Sequence, residues 1–417
     1  MAREPSHKWA FKSGMRAGAF GWRGSAKAAE RLKSAGAEIM ALRRTDPVTA
    51  AEGVVVLAER IWPAFEHIDT SSGALGTAVR RTLDKLLPVL IDAPADEKTR
   101  ARWLERLRTA ILDDGVDYLA PISDRFGEIA AFPALMNAHA DRDIDLIHHA
   151  WSDHARYSHI PSATLTLSCL LEAGRYDDLF NLLAVKKRRL WFDEKFGAEA
   201  LLHQGRVDEA LACAEALFEG DRQHWGHGDI ARFCEGILVR QGKADEAYRR
   251  FGLPSAAGNT WLAMWRDLVK RYPERDGRTV LEDLIAVHGR KGKWFAAAKT
   301  AGYLDIAIDC AADFEAAPAT LLRAARDFVE KEPAFAAQVA LHAITHLLAD
   351  RGFETSPLDI DNGVSHLMAA SRRIDRSAWA LEELHSLAHR KNQDDLLTQR
   401  LRSTLADLDP GARDVGD

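Results

Sequence analysis

Four cysteines in 417 residues, none in a C-x-x-C pair, exclude a disulfide framework and the common structural zinc sites. Cys169, Cys213, Cys234 and Cys310 each sit in an apolar helical context, the setting of buried thiols in a reducing compartment. No run approaches the roughly 18 to 20 apolar residues of a membrane span, and Met1 to Lys8 lack the apolar core of a secretory signal. The expectation is a cytoplasmic protein of a bacterium-like cell, with no membrane partner. Alternation with period two is missing over any useful length, so strands are not expected. Also missing are G-x-x-x-x-G-K-[ST], G-x-G-x-x-G behind a strand, H-E-x-x-H and G-x-S-x-G. No cofactor and no resident metal is therefore expected, and the reading leans away from an enzyme.

What is present is a folded composition, 47% apolar and 28% charged, on a chain too long for one ordinary core. The net charge of −6 conceals an asymmetry. Met1 to Arg44 holds ten Lys/Arg against three Glu, so the remainder carries −13.

The middle of the chain writes one pattern three times. Leu170-Leu171-Glu172-Ala173-Gly174-Arg175-Tyr176-Asp177-Asp178-Leu179 is followed by Leu201-Leu202-His203-Gln204-Gly205-Arg206-Val207-Asp208-Glu209-Ala210 and Leu238-Val239-Arg240-Gln241-Gly242-Lys243-Ala244-Asp245-Glu246-Ala247. Each copy predicts two helices meeting at a turn. The apolar pair ends the first helix, Gly takes a left-handed cap, and the acidic pair opens the second helix, where the dipole favours negative charge. The glycines lie 31 and 37 residues apart, in the range of tetratricopeptide-type units. Gly302-Tyr303-Leu304-Asp305 echoes the turn again. The expected fold is all-α, an α-solenoid of antiparallel helix pairs. Its expected parts are a basic Gly/aromatic segment with a first helix (1–45), an N-terminal helical region (46–140), repeats (141–310), C-terminal helical repeats (311–408) and a tail (409–417).

Several stretches together carry a resemblance. They are Trp62-Pro63-Ala64-Phe65-Glu66 leading to Ile68-Asp69 and Ser71-Ser72-Gly73, then Leu75-Gly76, Ala101-Arg102-Trp103-Leu104 and Asp114-Gly115. With the repeated turns and Lys331-Glu332-Pro333-Ala334, this resembles uncharacterised bacterial helical-repeat proteins over roughly Trp62 to Leu401. Some members of that group carry a SWIM zinc finger ahead of the repeats. This chain has no C-x-C paired with C-x-H, so the resemblance implies repeats without the zinc site.

Helical repeat arrays hold partners on a continuous surface, so the leading expectation is a non-enzymatic scaffold or adaptor that binds a protein or peptide. Residues expected along the groove are Arg175, Tyr176, His203, Arg206, Arg240 and Lys243. The alternative is a nucleic-acid-binding protein. In the N-terminal segment Lys8, Lys12, Arg16 and Arg23 interleave with Trp9, Phe11, Phe20 and Trp22, cations for phosphates and rings for bases, unless those rings pack on the first helices instead. Ser25 is expected to cap the helix that follows, and the glycines to keep helix from forming before it. Lys186-Lys187-Arg188-Arg189 is a second basic run.

A remote alternative is a metal-dependent hydrolase built on the His139 to His159 stretch, where Asp145, His149 and Asp153 recur at four-residue steps. The pairs His342/His346 and His385/His389 and the turn His224 to Asp229 offer weaker versions, each equally explained by polar helix faces and caps. The Asp69-Thr70-Ser71-Ser72-Gly73 loop ahead of a helix can offer N–H groups to an anion, or simply cap that helix.

Overall fold

The computed structural model describes residues 7–152, 160–220, 226–349, 351, 355–390 and 395–408. Every regular element among them is helical, as the missing period-two alternation predicts. The chain divides into two compact units, Met1–Ile230 and Ala231–Asp417, at a point inside residues 141–310.

In the first unit, helices Ser25–Leu42, Pro47–Phe65 and Ala74–Ile91 pack on one another. The second begins as its sequence predicts, with the Asp46 carboxylate accepting from the Thr49 N–H at 3.0 Å and Pro47 in the first turn. The first does not. Gly24 is its N-cap, and the Ser25 hydroxyl instead donates to the Asp69 carbonyl at 3.1 Å, tying this helix to the loop before Ala74–Ile91. The glycine-rich segment ahead of it also departs from expectation by holding one helical turn, Phe11–Gly14. The Glu38 carboxylate makes that turn possible. It accepts from the Ala10 and Phe11 N–H groups at 2.7 and 3.1 Å, donors that a short helix otherwise leaves open.

Helix Glu97–Leu112 supplies the residue that joins these elements to the next. The Arg100 guanidinium, 3% exposed, donates to the carbonyls of Leu90, Ile91, Ala93 and Ile129 at 2.6 to 3.1 Å. Those oxygens lie at or just past the ends of helices Ala74–Ile91 and Phe126–Ala130, where no intrahelical donor remains. Burial lowers the arginine pKa, but a guanidinium starts so high that it keeps its charge.

Past helix Pro133–Ser152 the repeated turns form as the pattern predicts. The Arg175 N–H reaches the Leu170 carbonyl (2.9 Å) and the Gly174 N–H reaches Leu171 (3.1 Å), the two bonds of a Schellman cap. Arg206 and Gly205 repeat them on Leu201 and Leu202, and in the second unit Lys243 and Gly242 do so on Leu238 and Val239. The three glycines have φ of 70°, 74° and 74°. A Cβ at any of them would meet nothing within 4 Å, so the demand for glycine is conformational rather than steric. Each turn joins two helices, Ala163–Glu172 to Tyr176–Val185 and Trp191–His203 to Val207–Gly220 in the first unit.

The second unit continues with the Gly302 echo, where Tyr303 and Gly302 donate to Ala298 and Lys299. A further copy hides at Asp375 (φ 55°), with the Arg376 N–H on the Ser371 carbonyl at 2.9 Å. Helices from Trp261–Arg271 to Leu396–Leu408 pack mostly on their neighbours in sequence. Trp261 and Trp294 meet with centroids 4.7 Å apart, and the Trp294 indole N–H is satisfied by the Gly289 carbonyl at 3.1 Å. These rings are interhelical packing.

Candidate functional site

Of the residues expected along a groove, Arg175, Tyr176, His203 and Arg206 belong to the first unit and Arg240 and Lys243 to the second. Tyr176 and His203 come together, hydroxyl to Nδ1 at 3.5 Å with the rings edge to face. Arg175 is engaged by Asp141 (2.5 Å) and Asp178 (2.7 Å), and Arg206 by Glu209 (2.7 Å), so both guanidiniums brace turns. Arg206 also lines a cleft of about 590 Å³ with Phe180, Leu183, Arg189 and Cys213. Arg240 and Lys243 are exposed.

His203 also acts on Glu172, one member of a feature the sequence reading missed. Successive elements contribute Asp84, Asp124, Glu128, Glu172 and Glu199, and each feels the charge of at least one of the others. Two are neutralised locally, Asp124 by Lys195 at 2.6 Å and Glu128 by a two-pronged Arg125. Asp84, Glu172 and Glu199 make no direct ion pair among the described residues, and burial raises the pKa of all three against the weaker pull of Arg80 and Arg125 on Asp84, His203 and Arg125 on Glu172, and Lys195 on Glu199. Glu199 is pushed up to about 7, first by burial and then, against the pull of Lys195, by Asp124, Glu128 and Glu172. The result is an acidic row with more negative charge than its own cations balance. Its sequence signal lay in the repeat itself, because Glu172 holds the same position in the first copy that His203 and Arg240 hold in the next two.

The basic N-terminal segment is packed down rather than free. Trp9 is 5% exposed, seated on Gly53 so closely that a Cβ there would fall 2.4 Å from the ring, and Phe11 and Phe20 are also buried. Trp9 is therefore corrected from a stacking residue to a core residue. Lys8, Arg16 and Arg23 are exposed, Lys12 is half-buried, and Trp22 stands out at 68% exposure. Within the second basic run, Lys186 turns inward to the buried Asp193 carboxylate with its ammonium 4.3 Å from the Trp151 ring, and Arg189 pairs with Glu194. Lys187 and Arg188 face outward, as does the paired Arg189.

The Asp69 to Gly73 loop sits against Trp22, whose carbonyl accepts from the Asp69 N–H at 3.0 Å. The Asp69 carboxylate caps the Ser71 N–H at 2.9 Å, a bond that holds its pKa down. Gly73, at φ 67°, is the N-cap of helix Ala74–Ile91 and offers no side chain to the first turn. A small cleft of about 230 Å³ opens there.

The histidine-rich stretch assembles no metal centre among the described residues, which contain no group of three or more His, Cys, Asp or Glu placed to hold an ion. His139 is buried edge-on to Phe126, and Asp143 pairs with Arg108 at 2.6 Å. Asp153, His154 and His159, like His224, lie outside the described residues. His346 is turned to the Ala316 carbonyl at 3.1 Å and His389 to the His385 carbonyl at 2.7 Å, so both pairs read as helix faces. Among the described residues no helix is long and apolar enough to cross a membrane. Set against known proteins, the chain matches no family model, no curated protein and no solved structure.

Proposed function

We propose that the chain is a non-enzymatic, cytoplasmic protein-binding scaffold built as a tetratricopeptide-like solenoid, and that its first unit receives a Lys- or Arg-bearing segment of a protein partner. The observation that carries this reading is the unbalanced acidic row, Asp84, Glu172 and Glu199, with His203 of the Tyr176/His203 pair acting on Glu172. Burial and mutual repulsion raise these carboxylates against the partial pull of Arg80, Arg125, His203 and Lys195, and an incoming ammonium or guanidinium adds to that pull. Tyr176 adds a ring face on which a cation can rest. The likeness to bacterial helical-repeat proteins points the same way, as does the recurrence of one turn in both units. None of the four cysteines is in a disulfide, which fits a reducing compartment.

The test is anisotropy of a short fluorescein-labelled peptide of alternating Lys and Ala, measured from pH 8 down to pH 5. Binding is expected to weaken toward pH 5 as Glu199 takes up its proton, and to fall roughly tenfold in the Glu172→Gln/Glu199→Gln double variant. Equal binding of a Ser/Ala peptide, or of the double variant and the parent, would sink the reading.

A further inference from the structure

The acidic row leaves unexplained the exposed Trp22 and the small cleft at the start of helix Ala74–Ile91. That cleft is lined by Thr70, Gly73, Gly76, Arg80, Asp117 and Tyr118, among others. The first-turn N–H groups of a helix have no intrahelical acceptors, and here the N-cap is a glycine without a capping side chain, with only the Ala74 N–H given an acceptor, the Ser72 hydroxyl at 3.4 Å, among the side-chain bonds of the described residues. Neither Gly73 nor Gly76 has anything within 4 Å of where a Cβ would stand, so the backbone is open to an approaching group. Arg80, one turn further along the same helix, is exposed and makes no direct ion pair among the described residues, though its charge also bears on Asp84 four residues on.

A second observation is independent of the helix end. Tyr118, in the same cleft wall, is only 6% exposed, and its buried hydroxyl has no hydrogen-bond partner among the described residues. A native fold rarely leaves such a donor unused. A third concerns the surroundings. The Trp22 carbonyl and the Ser25 hydroxyl hold the Asp69 loop at 3.0 and 3.1 Å, so the exposed residues Trp22 and Arg23 flank the loop that leads into the cleft.

We infer that this cleft is a phosphate site that takes a nucleotide unit of single-stranded nucleic acid, its phosphate on the first turn of Ala74–Ile91 with Arg80 and Tyr118, and its base on Trp22. Helix N–H groups and a guanidinium are the donors that a phosphate oxygen selects, and an indole face accepts any base. Asp117 is the one opposing charge in the wall, so its removal should tighten binding.

The experiment is anisotropy of a fluorescein-labelled oligothymidylate at low salt, competed with polyphosphate of matched charge. Gly76→Leu fills the cleft with an apolar side chain at a helical position where glycine is the weakest choice, so the fold is kept or strengthened while binding falls. Gly76→Leu and Arg80→Glu are each expected to weaken the oligonucleotide by roughly tenfold or more. Trp22→Ala is expected to cost the oligonucleotide about tenfold and leave polyphosphate unchanged. Asp117→Asn should bind more tightly than the parent. Thermal unfolding of each variant by circular dichroism verifies the fold. Wild-type affinity in Gly76→Leu would overturn the site, and polyphosphate competing as well as unlabelled oligonucleotide would overturn the nucleotide assignment.

Discussion

The two units use one turn and differ in how a few of their carboxylates are held. In the second, cations and carboxylates are matched: Arg271 serves Glu235 and Asp267, Arg275 serves Asp245, Arg290 serves Glu315, Lys291 serves Asp309 and Arg373 serves Glu330. The carboxylates there whose pKa departs from the ordinary value, Asp305 and Asp361, are both lowered by hydrogen bonds from arginines. In the first unit Asp46, Asp69, Asp96, Glu105 and Glu209 are lowered by hydrogen bonds too, but Asp84, Glu172 and Glu199 are raised. Shared turn chemistry with contrasting electrostatics separates what builds the helix pairs from what distinguishes their surfaces. On the proposed reading, the acidic row of the first unit is the charge a cationic partner would neutralise, whereas the ion pairs named in the second unit are already internal.

The largest test of this contrast strikes the first unit's framework. Arg100→Ala strands four buried carbonyls and is expected to cost upwards of about 3 kcal/mol, read as a lower denaturation midpoint in urea. Next come the turns that both units share. Gly174→Ala, Gly205→Ala and Gly242→Ala should each cost about 1 to 2 kcal/mol through the left-handed backbone alone, and similar losses across the two units would establish a common turn. At the odd copy the sign reverses, since Asp375→Gly removes a Cβ from a positive φ and should stabilise by up to about 1 kcal/mol.

The pH dependence sharpens the electrostatic half. The folded pKa of Glu199, about 7, lies above its unfolded value, so its favourable contribution is complete below the unfolded pKa and is lost as pH rises through 7. Stability should therefore fall between pH 5 and pH 8, and Glu199→Gln should flatten that fall, with its benefit visible at pH 8 and absent at pH 5. Thermal melts across this range decide it. The smallest effect belongs to the matched unit, where Arg290→Ala breaks a surface pair and should change stability by no more than about 0.5 to 1 kcal/mol.

Much of the helical plan was legible beforehand because it rests on local chemistry. Asp46-Pro47 announces a helix start, and the glycine turns announce their caps, since these depend on residues within one turn of one another. Ser25 was misread because its hydroxyl found a partner at Asp69, 44 positions away, and Trp9 because its pocket is a glycine on another helix. The groove residues were read from the turns, where Arg175 and Arg206 turn out to brace their own neighbours. Glu172 and Glu199 carried no alarm in the sequence, for a carboxylate's pKa depends on what folding places around it.

By itself, then, the sequence determined the all-helical class, the positions of the repeated turns and the basic character of the N-terminal segment, all set by short-range preferences. Only the tertiary structure decided that three of that segment's four aromatic rings are core and that Trp22 is not. It also decided that Arg100 joins four carbonyls and that five carboxylates from separate helices share one row. Each of these is a long-range juxtaposition, which depends on how helices pack rather than on how they form.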